Sequence, residues 1–407
     1  MPFSPTVSFS ETVGKILSGG EYMRRKFLVF GSYVLVAVLA TVLTMGMLWW
    51  EGALEYSKLD QLEDLIGERF IGEADPAALE DAAADAMVKA TGDRWSYYIS
   101  AEEYAEYEER MANAYVGVGI TIQKPEGNLG FLVIDVTEGG PAEAAGLQVN
   151  DLLIRVEDTD VREMSAEDVR DLVRGKEGTF VNITLMREGE ILNFSVERRT
   201  IKTSVANWEM LESGIGLVQI ENFDDRCAQE TIAAIETLLG QGADKLIFDV
   251  RNNPGGYAHE LVKVLDYLLP EGELFRAVKY DGTENIDTSD ADCLELPMVV
   301  LVNGGSYSAA EFFAAAMQEY EAAAVVGQRT SGKGYFQTTV RLKDGSAVAL
   351  SVGKYYTPSG KSLADVGVTP DWLIETDDET EAEIYYGQLA AKDDPYIREA
   401  IRLLKNR

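Results

Sequence analysis

Pro297 to Tyr320 reads PMVVLVNGGSYSAAEFFAAAMQEY. An unbroken apolar run, MVVLV, gives way to a polar, glycine-bearing turn and then to an alanine-rich stretch. A short apolar run bounded by turn residues suits a strand buried on both faces. The alanines and the glutamates suit a helix. The same alternation extends on both sides. AQETIAAIETLLGQG is helical in pattern, KLIFDVRNN is a second apolar strand, HELVKVLDYLL is a helix, and AAVVGQRT is a further strand. From Ile201 to Glu375 the chain therefore reads as an α/β core, with parallel strands covered by helices.

The turn after MVVLV holds Ser308. A serine where a buried strand becomes a helix is held at the rim of the sheet, with helix N-terminal amides aimed at developing negative charge. A hydroxyl is a weak nucleophile and needs a base. Lys333, in RTSGKGYFQ, lies 25 residues further on, just after the next strand. Lysine serves as a base only when neutral, which requires burial to lower its pKa from about 10.4. Gln337, four residues past Lys333, would orient the amine without adding charge. The oxyanion of an acyl-transfer intermediate needs donors. Gly255 and Gly256 in RNNPGG follow the earlier strand and present unobstructed backbone amides, and the Ala309 amide is a second source.

Each piece has a plainer reading. Ser308 is also a reasonable helix N-cap. GQRTSGKG matches a phosphate loop up to Lys333, but Gly334 stands where that motif needs Ser or Thr. RNNPGG is also a tight turn. His259 is the single histidine of the chain, so a Ser-His-Asp triad would have to use it and a multi-histidine zinc site is excluded. Cys227 and Cys293 lack metal-site spacing and are too few for a disulfide scaffold.

Outward from the core the texture changes twice. Tyr115 to Arg199, 85 residues, carries strand-like runs (GVGITIQ, FLVIDV, DLLIRVED, VNITLMRE, ILNFSVERR) and two short helical pieces. It reads as a compact, mostly-β module. Ser57 to Met111 is acidic and helical in pattern, and SAEEYAEYEERM opens with a capping box. Phe27 to Trp50 holds 24 residues without a charge, preceded by Arg24, Arg25 and Lys26 and followed by Glu51 and Glu55. A helix of that length spans about 36 Å, enough for a hydrocarbon core. The basic flank predicts a single-pass anchor in the cytoplasmic membrane, with everything after Trp50 outside. A cleaved signal peptide is the rival, although the run is long for one and no A-x-A-like site follows. The net charge of −33 argues against nucleic acid as a partner.

Four segments carry a family resemblance. NGGSYSAAE resembles the strand-to-helix N-x-x-S-A-S-A-S-E of the C-terminal processing peptidases, the tail-specific proteases of family S41. GQRTSGKGYFQ resembles that family's G-x-x-T-x-G-K-G-x-x-Q, RNNPGG its oxyanion loop, and KYYTPSGKSLADVGVTPDW its Y-x-T-P-x-G segment. The resemblance implies a ClpP/crotonase-like α/β core and a Ser308–Lys333 dyad with Gln337 as partner of the lysine. It also implies a serine endopeptidase that needs no cofactor. GGPAEAAGLQVNDLLIRVED is similar to PDZ domains, and YVGVGI to their carboxylate-binding loop. That implies capture of free protein C-termini by Val118, Gly119 and Ile120, with Val169 and Val173 lining the side-chain pocket. A homo-oligomer or an activating partner is compatible with this pattern. Tyr307, Ala310, Arg94 and Trp95 depart from it, and Tyr307 is expected to narrow the substrate pocket.

The expected division is a cytoplasmic N-terminus over 1–26, an anchor over 27–50 and a helical region over 51–112. The PDZ domain then covers 113–200, the Ser/Lys peptidase core 201–375, and a helical tail 376–407. Substrates are expected to be exported proteins cut near their C-termini, with PDZ occupancy gating the site. A PDZ adaptor without catalysis and a histidine-dependent protease are the alternatives.

Overall fold

A computed structural model of the chain describes residues 30–46 and 57–406, apart from 126 and 128. Residues 30–46 are helical (α1), and their apolar side chains, Phe30, Leu35 and Leu43 among them, are exposed. The expected span over 27–50 lies partly outside the described residues. No helix among the described residues is long and apolar enough to cross a membrane. Helices α2 (Lys58–Arg69) and α3 (Pro76–Lys89) follow, and neither buries a side chain.

The stretch GDRWSYYIS, expected within a helical region, instead yields strand β1 (Tyr97–Ile99). Its aromatic and β-branched residues suit a pleated, half-buried surface, and it joins the core through pairs such as Ile99 with Ala347. Ser100 then starts α4 (Ala101–Met111) by the expected reciprocal cap. The Glu103 N–H donates to Ser100 Oγ at 3.3 Å, and the Ser100 N–H to Glu103 Oε2 at 3.1 Å.

The β module comprises β2 (Ala114–Gly117), β3 (Ile120–Gln123), β4 (Phe131–Val136), α5 (Pro141–Ala145), β5 (Leu152–Val156), β6 (Thr159–Asp160), α6 (Ala166–Val173), β7 (Phe180–Arg187), β8 (Glu190–Glu197) and β9 (Arg199–Lys202). Its sheet runs β3-β4-β5-β7-β8, so β3 is an edge strand. Phe131, Leu153, Ile183 and Leu185 form its core, and β2 pairs with β9 where the chain enters and leaves.

The α/β core holds β10 (Ala206–Met210), β11 (Ile215–Ile220), α7 (Cys227–Gly240), β12 (Lys245–Asp249), α8 (Ala258–Leu268), β13 (Gly272–Lys279), β14 (Glu284–Ser289), β15 (Met298–Val302), α9 (Ala309–Glu319), β16 (Ala323–Gly327), β17 (Tyr335–Arg341), β18 (Ala347–Tyr356), β19 (Trp372–Leu373), α10 (Asp378–Tyr385) and α11 (Pro395–Lys405). Its main sheet runs β10-β11-β12-β15-β16-β19. All strands from β11 onward are parallel, and β10 is an antiparallel edge. Every residue of β15 and of β16 is buried, as a strand covered on both faces requires.

One face packs on α7, α8 and α9 around Phe248, Phe312 and Phe313. Phe313 touches Phe223 and Phe248 at ring separations of 5.9 and 5.6 Å. Truncating such a side chain costs about 3–5 kcal/mol. The other face is covered by the tail helix α11, whose Tyr396, Ile397, Ala400 and Leu404 lie on Ile247, Val299 and Val326. The tail is thus a layer of the core. A second, antiparallel sheet (β1-β18-β13-β14, with β17 on β18) stands beside the first. Because β11, β12, β15 and β16 are parallel neighbours, the four segments after them emerge at one edge, where open α/β sheets gather their reactive groups.

Candidate active site

The turn after β15 is built by side chains that replace missing backbone partners. Asn303 Oδ1 accepts from Gly305 N–H at 3.0 Å, and Ser306 Oγ donates to Val250 O at 2.7 Å. Ser308 is left at φ 51°, ψ −116°, a region that costs a non-glycine residue about 1–3 kcal/mol and that clusters at functional sites.

The neighbouring segment after β12 is locked to this turn. Asn252 and Asn303 exchange hydrogen bonds, Asn252 N–H to Asn303 Oδ1 at 3.0 Å and Asn303 Nδ2 to Asn252 Oδ1 at 3.0 Å. Tyr307 N–H donates to Asn253 O at 2.9 Å. Behind it, the buried Arg251 guanidinium bonds Asp249 at 2.9 Å and Asp394, the cap of α11, at 2.8 Å. Gly255 has φ 92°, and a Cβ there would lie 2.8 Å from Ser308 Cβ, so only glycine lets the loop reach Ser308.

Its amides are not equivalent. Gly255 N–H is spent on Asn253 Oδ1 at 2.8 Å. Gly256 N–H and Ala309 N–H donate to no protein group among the described hydrogen bonds. The expected oxyanion trio therefore divides, with Gly256 and Ala309 offering donors and Gly255 shaping the loop. Phe223, after β11, secures this loop by donating its N–H to Gly255 O at 2.7 Å and accepting from Tyr257 N–H at 2.8 Å.

Glu311 joins the Ser308 and Lys333 segments. Its carboxylate, fully buried one turn into α9, accepts four hydrogen bonds: from Ser308 N–H (2.9 Å), Thr330 Oγ1 (2.6 Å), Gly332 N–H (2.7 Å) and Lys333 N–H (2.8 Å). The Ser308 and Lys333 bonds end on the same oxygen, so the two backbone nitrogens are separated by no more than those bonds laid end to end. The amides that a phosphate would need are already occupied, which removes the phosphate-loop reading. Glu311 carries no role in the sequence reading above, although the S-x-x-E spacing from Ser308 is the capping-box signal that would have found it.

Lys333 lies over the Trp95 ring, Nζ 5.2 Å from its centroid. No hydrogen bond joins Nζ to Ser308 Oγ. Burial pushes its pKa below the ordinary lysine value, and Glu311 and Asp93 oppose the shift without reversing it. Gln337 does not orient the lysine in this structure. It bonds Ser351 Oγ at 3.1 Å, because β17 pairs with β18 and aims it along that sheet. His259 is exposed, stacks on Tyr257 at 5.2 Å and makes no bond to Ser308. Tyr307 meets Trp95 edge-on at 6.2 Å and does not line the space beside Ser308. The narrow space beside Ser308, about 10 Å³, is lined by Gly256, Ala258, Leu261, Phe275, Phe312 and Tyr355. The cysteines are free, and burial raises the Cys227 thiol to about 12.

In the β module, Val118, Gly119, Ile120 and Val173 line a groove of about 510 Å³ between the open edge of β3 and α6. Val118 and Gly119 N–H donate to no protein group among the described bonds. Val169 does not line the groove. It is fully buried in the module's core, because its position on the helix turns it inward, and Arg170 occupies the groove face instead.

The peptidase family S41 pattern matches residues 214–374, and the PDZ domain pattern matches residues 110–186. The carboxy-terminal processing protease CtpA of Bacillus subtilis (strain 168) is 30% identical over 369 residues, covering 88% of this chain and 79% of that protein. The chain belongs to the carboxy-terminal processing proteases of family S41. It is a serine-type peptidase with a PDZ domain ahead of the catalytic core. A probable CtpA-like serine protease of Staphylococcus haemolyticus (strain JCSC1435) is 31% identical over 357 residues, covering 85% of this chain and 71% of that protein. An S41 protease structure from Bacteroides fragilis shares the fold at 14% identity, with TM-score 0.51, over 79% of this chain and 90% of that one.

Proposed function

We propose that this peptidase cuts exported proteins near their C-termini through an acyl-enzyme, with Ser308 as nucleophile and neutral Lys333 as base. One observation carries the reading: a single Glu311 oxygen holds the main chain of both residues, beside two unpaired amides. Ser308 Oγ attacks the scissile carbonyl as its proton passes to the Lys333 amine. The oxyanion is received by Gly256 and Ala309 N–H. The lysine then protonates the leaving amine and later activates water for deacylation. Since Lys333 Nζ rests over Trp95, it must first swing to Ser308, a side-chain rotation that leaves the Glu311 clamp in place.

The PDZ groove holds the substrate tail, its terminal carboxylate on the Val118 and Gly119 amides and its backbone along β3. Filling the groove gates the swing of the lysine. The uncharged run over 27–50 and the exposed apolar face of α1 support an N-terminal anchor in the cytoplasmic membrane, with the catalytic part outside. Kinetics of Ser308→Ala, Lys333→Ala and His259→Ala test the dyad. The first two are expected to abolish cleavage and the third to leave it intact. Activity that survives Lys333→Ala but not His259→Ala would replace the lysine by the histidine. Carbonate-resistant membrane association tests the anchor.

A further inference from the structure

Trp95 combines three observations in one side chain. Its indole N–H is buried and donates to nothing. Its ring lies under the Lys333 amine at 5.2 Å and meets Tyr307, the residue before the nucleophile, edge-on. It also lines a groove of about 840 Å³ whose walls include Asp93, Tyr335, Ser351 and Lys354. Buried donors without acceptors are rare, since leaving one unpaired costs about 1–3 kcal/mol, so each calls for an explanation. The backbone around this one is not slack. Trp95 N–H donates to Asp93 Oδ1 at 3.1 Å, and Ser96 Oγ accepts from Ser351 N–H at 3.0 Å, so the Trp95 loop is tied to β18.

We infer that Trp95 is a substrate-binding residue, whose indole N–H receives a main-chain carbonyl of the segment on the leaving-group side of the scissile bond. The inference rests on Lys333 serving as the base. A lysine that protonates the leaving amine must face the segment that departs, so that segment runs past Lys333 and onto Trp95. That leaves the narrow cavity of Ala258, Phe312 and Tyr355 beside Ser308 for the acyl side. A small tilt of the indole turns its N–H from the packing into the groove that its ring already lines. The substrate carbonyl then supplies the missing acceptor once the lysine has swung from the ring to Ser308.

The test uses the full-length enzyme with a saturating tail peptide in every assay. Trp95→Phe keeps the ring and removes the donor. On a peptide with several residues beyond the scissile bond, kcat/KM is expected to fall about tenfold. On the same acyl sequence joined directly to aminomethylcoumarin, which offers no leaving-side carbonyl, the loss should be at least about fivefold smaller. Equal losses on both substrates, or none on either, would overturn the inference. A thioamide scan of the leaving-side carbonyls with wild-type enzyme keeps it falsifiable should the variant fail to fold. One position should lose about tenfold, and indifference at every position would reject a carbonyl contact. Cleavage of the coumarin substrate by Lys333→Ala at the wild-type rate would instead sink the dyad.

Discussion

Lys333 shows how a single residue's charge is decided by competition. Removal from water disfavours its ammonium, and two carboxylates, Glu311 and Asp93, favour it; desolvation prevails. The base form is therefore reached at lower pH than for a free lysine. The kcat/KM profile should rise through a midpoint below about 10.4, losing activity as pH falls and the amine takes up its proton. Asp93→Asn deletes one of the opposing charges, so its profile should rise at still lower pH; an unmoved limb would mean that this charge does not reach the lysine. Asp224 presents the opposite case. It is buried beside Gly256 with Oδ1 unpaired, and desolvation lifts its carboxyl from 3.8 to about 7, Arg110 opposing and Asp225 adding to the shift. The folded state thus holds a proton that the unfolded chain releases. Stability is lost as pH climbs from about 4 to about 7 and changes no further above that. Asp224→Asn has no such dependence, and its advantage in denaturant midpoint should grow across that interval. Equal gaps at pH 5 and pH 8 would contradict the assignment.

Elements carry the next level, and the joint between the PDZ domain and the core shows how. Arg226 opens α7 in the left-handed region and gathers both connecting segments. Its guanidinium donates to Ala112 O (2.7 Å), Asn113 O (3.1 Å) and Thr203 O (2.7 Å), and it also bonds Glu230 at 2.9 Å. Two residues earlier, Asp224 follows the Phe223 that secures the Gly255–Gly256 loop, so the joint and the candidate active site share one short loop. Arg226→Ala strands the Ala112 and Thr203 carbonyls, Asn113 O keeping its bonds from Thr203 N–H and Oγ1, and should cost about 2 kcal/mol or more. Limited proteolysis should then speed up near residues 112 and 203, whereas an unchanged digestion pattern would show that β2 and β9 suffice. The alternation of apolar strands and helices made most such elements readable, because burial on both faces leaves an unbroken apolar run such as MVVLV. What escaped depends on partners distant in sequence. β1 is a strand only because β18 offers it an edge. Val169 and Arg170 are neighbours in sequence, and only the packed helix decides which one turns to the groove. Gln337 keeps the spacing of a lysine partner, yet β-pairing directs it to Ser351.

At the scale of the molecule, four loops from parallel strands converge. The loop after β11, with Phe223, carried no motif, whereas the motifs of the three after β12, β15 and β16 were legible because each loop's chemistry is written in a few adjacent residues. Glu311 and Trp95 were not, since their roles exist only once separate segments meet. The same dependence extends to regulation. The lysine makes no hydrogen bond to Ser308, while the Val118 and Gly119 amides lie in a different module, joined to the core through the Arg226 clasp. If occupancy of that groove shifts the lysine toward the serine, a ligand must bind the competent arrangement more tightly than the resting one, and its effect on rate is limited by that difference. A peptide with a free C-terminus should therefore accelerate hydrolysis of an unrelated unfolded protein that itself offers no suitable tail. The identical peptide with an amidated end forfeits the charged acceptor for Val118 and Gly119 N–H, so it should bind at least about tenfold more weakly and stimulate correspondingly less. Titrating both peptides against a quenched fluorescent protein substrate separates the outcomes: a rate indifferent to the free-acid peptide at saturation refutes gating, and equal stimulation by both would move carboxylate recognition away from this loop.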